Sequence, residues 1–170
     1  NLQNLKLAAG EDASPATTGL GHTRWATHGG VTTENAHPLA VEDESELAIV
    51  LNGIVENYRE LRERLRSSGH EFTSETDAET VTHLIEEYYE GDLVEATRRA
   101  FNELEGHFAF VAIHRDHPGL LVGARHQCPL VVGIGRGEMF LASNASAFLR
   151  ETREVHFPED GDLVAGQKLP

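Results

Sequence analysis

The chain has 170 residues, 28 of them acidic against 14 basic, for a net charge of −14. That balance argues against nucleic acid and anionic membrane as partners, since both are held by a basic footprint. A mean hydropathy of −0.35, no apolar run near the ~18 residues of a spanning helix, no secretory leader and one cysteine, Cys128, predict a single soluble cytoplasmic domain without a disulfide framework.

Asn1 to Ala9 reads as the end of a helix, with Leu2 and Leu5 on one face, and Gly10 to Thr18 as a loop. Residues 19–25 are expected to form a strand. Leu47 to Leu51 is a short apolar run, predicted as a buried strand that stops at Asn52-Gly53. A charged amphipathic helix is predicted over Glu56 to Ser68, with Leu61 and Leu65 inward and Gly69 beyond its end. Phe72 is assigned to a short strand. Thr76 with Glu79 has the spacing of a capping box for a helix reaching Glu90, buried through Val81, Leu84, Ile85 and Tyr88. Asp92 opens a further helix ending near Gly106. Strands are then expected at 107–114, 120–125, 130–134, 139–143 and 153–157, with a last one from Asp162 to Val164. Helices enclosed by strands, followed by a strand-rich tail, predict an α+β fold of antiparallel sheets covered by helices.

Candidate chemistry concentrates in Gly21-His22-Thr23-Arg24-Trp25-Ala26-Thr27-His28-Gly29. The residues suit a ligand-gripping loop better than a core. Arg24 offers a planar fork of donors that matches a carboxylate, and the glycines let the backbone bend or approach closely. A surface loop closed by an internal salt bridge is the plain alternative. Asn52-Gly53 by itself is a strong hairpin-turn signal. Asp77 stands where a carboxylate can cap the helix that follows. His22, His28 and His37 match no zinc spacing and have no cysteine nearby, so no metal and no cofactor are expected. Gly133 to Gly137 follows a strand without opening a helix and reads as a hairpin turn, not a phosphate loop.

Several stretches together resemble one family. They are HTRWATHG at 22–29, ENAHP at 34–38, LNGIVENYRELRERL at 51–65, SETDAE at 74–79 and PLVVGIGRGEMFLAS at 129–143. In this order they are similar to the glutaminase domain of the glucosamine-6-phosphate synthase family, class II (N-terminal-nucleophile) glutamine amidotransferases. The resemblance implies a four-layer αββα sandwich and glutamine as substrate. By position, Arg24 matches the clamp on the glutamine α-carboxylate and Asp77 the partner of its α-ammonium. Trp25, Thr27 and His28 match a loop that closes over the substrate. Asn52 and Gly53 match the oxyanion hole.

The family's nucleophile is an N-terminal cysteine with its own α-amine as base. This chain starts at Asn1, so the resemblance implies an opening strand and helix before Asn1. It also implies a sugar-isomerising domain after Pro170 and a homo-oligomer in the full enzyme. Cys128 is expected to be a small buried hydrophobe inside a strand, not a substitute nucleophile. Leu51, Ala78 and Asn144 depart from the family pattern without removing a catalytic group. Amidophosphoribosyltransferase-type chemistry and a non-catalytic glutamine-binding regulatory domain are the alternatives.

Overall fold

The computed structural model describes residues 16–40 and 46–167. Its elements, in chain order, are β1 (Leu39–Ala40), β2 (Leu47–Val55), α1 (Tyr58–Ser67), α2 (Asp77–Glu87), α3 (Leu93–Phe101), β3 (Gly106–His114), β4 (Leu120–His126), β5 (Val131–Ile134), β6 (Met139–Ala142), a 3-10 turn (Ala145–Ala147), β7 (Val155–His156) and β8 (Leu163–Gln167). One sheet has the order β1-β2-β3-β4-β8 and a smaller one β6-β5-β7, and every pairing is antiparallel. The expected α+β class of antiparallel sheets covered by helices is what the chain adopts.

The period-2 alternation of β2 and β3 creates two cores. Ile49, Leu51 and Val55 of β2, with Phe108, Phe110 and Ala112 of β3, meet Val81, Leu84 and Ile85 of α2 and Leu65 of α1. On the opposite face Val50, Ala109 and Val111 meet Leu130 and Leu141 of the region around the small sheet. The large sheet is therefore buried on both sides, by helices and by the second sheet. The described residues thus supply a helical layer and two sheets. On the small-sheet side they contribute only the 3-10 turn, capped by Asn144, whose Oδ1 accepts from Ser146 N at 2.9 Å.

Local signals explain the helices. In α1, Leu61 and Leu65 point inward as the spacing predicts. Thr76 caps α2 by accepting from Glu79 N at 3.3 Å, and Asp92 caps α3 by accepting from Val94 N and Glu95 N. The capping box is only half formed, because the Glu79 carboxylate turns to Thr73 and Ser74 instead of Thr76 N.

Other expectations need correction. Residues 19–25 form no strand, having no ladder partner among the described residues. Phe72 is not in a strand either. It lies in a loop, held by its ring between the Arg62 guanidinium (4.5 Å to the centroid) and the His83 ring (4.4 Å). Asn52-Gly53 is no turn: both lie inside β2, opposite Ala109 and Phe108. The predicted helix over Asn1 to Ala9 falls outside the described residues. Among the described residues no helix is long and apolar enough to cross a membrane.

Candidate active site

A cleft of about 250 Å³ opens where the loop 22–28, β2 and the start of α2 meet. It is lined by all seven residues that the family resemblance assigned to substrate or oxyanion: Arg24, Trp25, Thr27, His28, Asn52, Gly53 and Asp77. They come from three separate stretches, so the convergence is tertiary. The size lies just under the range of about 300–1,000 Å³ usual for drug-sized ligands and suits a small polar metabolite.

Asp77 is the first residue of α2 and is buried, with 4% exposure. Its Oδ2 accepts from Val55 N at 2.8 Å, tying the end of β2 to the helix. Thr76 does the capping, so Asp77 is free of that role. Its Oδ1 faces His28 Nδ1 at 3.7 Å, and that nitrogen is buried without a hydrogen-bond partner. The gap is too wide for a direct hydrogen bond and leaves a carboxylate oxygen for a donor group on a ligand.

Asn52 sits on the same face of β2 as Val50, exposed at the cleft. Gly53 has φ +109° in mid-strand, where its neighbours are extended. A Cβ there would fall 2.1 Å from His107 O and 3.0 Å from Cys128 Sγ. Cys128 therefore packs against Gly53 without itself lining the cleft. It is partly buried, in the link between β4 and β5 and not inside a strand. Burial pushes its thiol pKa up, which favours the unreactive protonated form.

Arg24 lines the cleft, but its fork is turned onto its own loop. Nη1 donates to Gly30 O at 2.8 Å, and Nη2 donates to Gly29 O at 3.2 Å and to His28 O. Trp25 is 91% exposed, so its ring stands in solvent at the mouth. The His22 and His37 rings meet in a tilted contact, 4.5 Å between centroids, beside Arg24. Burial, then the neighbouring His22 and Arg24, push the His37 pKa down to about 4, and burial with Arg24 lowers that of His22. Both rings are neutral at pH 7 and add no charge to the cleft.

Sequence reasoning gave no role to Asn35, which the structure shows to be a loop anchor. It is 2% exposed. Its Nδ2 donates to Gly30 O at 3.1 Å and its Oδ1 accepts from Glu75 N at 2.9 Å. It thereby ties the Arg24 loop to the segment leading into α2. Its place in ENAHP was the available signal.

Residues 22–150 match the model of a family described as a glutamine amidotransferase domain. The chain is 51% identical over 163 residues to the glutamine–fructose-6-phosphate aminotransferase (isomerizing) of Thermus thermophilus, covering 96% of this chain and 27% of that protein. It is 48% identical over 163 residues to the enzyme of the same name from Gluconobacter oxydans, covering 95% and 26%. It spans about a quarter of the length of these relatives. Among solved structures, glutamine phosphoribosylpyrophosphate amidotransferase from B. subtilis superposes with a TM-score of 0.70 at 23% identity, over 86% of this chain and 32% of that one. A structure described as the allosteric regulatory enzyme of purine biosynthesis gives a TM-score of 0.73 at 26% identity, with the same coverage. On sequence, fold and the residues gathered in its cleft, the chain belongs to the glutamine amidotransferase domain family.

Proposed function

We propose that the cleft hydrolyses glutamine to glutamate and ammonia, and that the ammonia aminates fructose 6-phosphate within a longer enzyme. The observation that carries this reading is the convergence of Arg24, Asn52, Gly53 and Asp77 on one small cleft. A substrate with a carboxylate, an ammonium and an amide needs three kinds of contact, and the cleft offers all three. Arg24 takes the α-carboxylate, the free Oδ1 of Asp77 takes the α-ammonium, and Asn52 with the Gly53 N–H receives the oxyanion that forms at the side-chain amide.

In the reaction a cysteine thiolate adds to the amide carbon and its electron pair moves to oxygen. Collapse of that intermediate expels ammonia, with the proton from the thiol, and leaves a thioester that water hydrolyses. Cys128, partly buried and with its thiol pKa pushed up, is poorly placed for this, and the proposal assigns the attack to an N-terminal cysteine of the kind the family resemblance implies. A cavity of about 310 Å³ between the sheets borders Asn52. The fructose 6-phosphate acceptor is supported by relatives near 50% identity that carry that name, against 23% for the phosphoribosylpyrophosphate enzyme. A sugar-isomerising partner domain after Pro170, a cytoplasmic location and a homo-oligomer belong to the same proposal.

Two substitutions in the full-length enzyme test it. Asn52→Ala should lower kcat by about 10²–10³ with little change in KM, because that contact tightens as charge develops. An effect on KM alone would remove Asn52 from the oxyanion hole. Asp77→Asn should weaken glutamine binding by about 1.5–3 kcal/mol, the range for hydrogen bonds to charged groups. A lower Tm with glutamine affinity intact would make Asp77 a strand tether only.

A further inference from the structure

Far along α2 from the cleft, three side chains converge on one point. His70 Nδ1 and His83 Nδ1 are 3.1 Å apart, His83 Nδ1 and Glu86 Oε2 3.2 Å, and His70 Nδ1 and Glu86 Oε2 3.4 Å. We propose that His70, His83 and Glu86 bind one zinc-class divalent cation, with water as the fourth ligand, clamping the turn after α1 to the last turns of α2.

The separations carry the argument. Metal–ligand bonds of about 2.0–2.1 Å in a tetrahedron set the ligand atoms about 3.3–3.4 Å apart. Protons alone cannot satisfy this triangle. With one proton among the three atoms, two lone pairs face each other along one edge. With a proton on each histidine Nδ1, two N–H groups meet across the 3.1 Å edge. A cation at the centre satisfies all three lone pairs. His70 Nε2 lies 2.7 Å from Glu87 Oε2, so the carboxylate holds the ring proton there and leaves Nδ1 free, the outer-shell arrangement usual for ligating histidines. His83 is buried, whereas Glu86 is 45% exposed and opens the fourth position to water.

A second cluster, Glu46, His114 and Asp116, lacks this fitness. There His114 Nδ1 accepts from Asp116 N at 3.1 Å, so its other nitrogen, the one facing Glu46, carries the proton. The spacing His-x12-His-x2-Glu matches no standard zinc signature, which kept the first cluster out of a sequence reading.

The test is titration of the metal-stripped full-length protein with Co²⁺ and Zn²⁺. One Co²⁺ per chain should bind at this cluster with intense tetrahedral d–d absorption, displaced by Zn²⁺. His70→Ala should abolish that band. Glu87→Gln, an exposed change that leaves the ligands in place, should weaken Zn²⁺ about 10–100-fold. No tetrahedral band, or a band that survives both His70→Ala and Glu86→Gln, would overturn the assignment. Far-UV circular dichroism of each variant separates lost metal binding from lost folding.

Discussion

Gly53→Ala should destabilise the protein by about 2–6 kcal/mol, combining a strained backbone with an overpacked core. The physical cause is on both sides of the residue. Its φ of +109° is one that L side chains rarely adopt, and the added methyl would meet His107 O at 2.1 Å and Phe108 Cα at 2.8 Å. Those are backbone atoms of the central neighbour strand, so nothing flexible is available to yield. Urea denaturation measures the loss. In whatever fraction folds, the proposed glutaminase activity should fall further than stability alone explains, because relief of the clash shifts the strand that carries both proposed oxyanion donors. A change below about 1 kcal/mol with activity intact would mean that the position tolerates an ordinary residue and that its geometry is incidental.

The second large effect is expected at Glu79, whose carboxylate is buried at 3% exposure. One oxygen accepts from Thr73 N at 2.7 Å and from Thr73 Oγ1 at 3.0 Å. The other accepts from Ser74 N and Ser74 Oγ, each at 2.8 Å, and from Arg62 Nη2 at 3.3 Å. Glu79→Gln puts an NH₂ group against N–H donors whichever way the amide is turned, and leaves Arg62 partly buried without its counter-charge. Removing one partner of a buried pair costs about 3–5 kcal/mol, and this should appear in thermal or urea unfolding. The same change should raise KM for glutamine, because the turn at 73–76 sets where Asp77 begins α2. Arg62 also donates to Ser74 O and Thr76 O, so the turn is held from two directions. Wild-type stability in Glu79→Gln would show that the turn is fixed by its backbone alone.

The helices were legible because their causes are local. Leu61 and Leu65 repeat at helical spacing, and Thr76 and Asp92 are caps that announce themselves. The strands after Gly106 were legible from apolar runs between turn residues. Asn52-Gly53 misleads for a definite reason. The dipeptide favours a turn in isolation, but nine residues of β2 pair in continuous register with β3, and that ladder outweighs a two-residue preference. Phe72 has the composition of a strand residue, yet its packing against Arg62 and His83 is a long-range contact that local pattern does not carry. The seven cleft residues were picked out through likeness to a family, and the fold brings them together. Nothing in the spacing of residues 24, 52 and 77 shows that they meet. The pairing of Glu79 with the 73–76 turn and the anchoring role of Asn35 are likewise products of the folded chain.

The Arg24 guanidinium donates its hydrogen bonds to the carbonyls of His28, Gly29 and Gly30. In the carboxylate-clamp role proposed for Arg24, a substrate would enter by exchange, in competition with a mimic that the loop itself provides. The free energy gained is a difference between two sets of hydrogen bonds, and the observed affinity is scaled down by the fraction of molecules with the fork released. Molecules of the right size that lack a carboxylate cannot displace the mimic and leave the loop as it was. Under the proposed clamp role, selectivity against neutral amides is in this sense written into the hydrogen bonds of the loop itself.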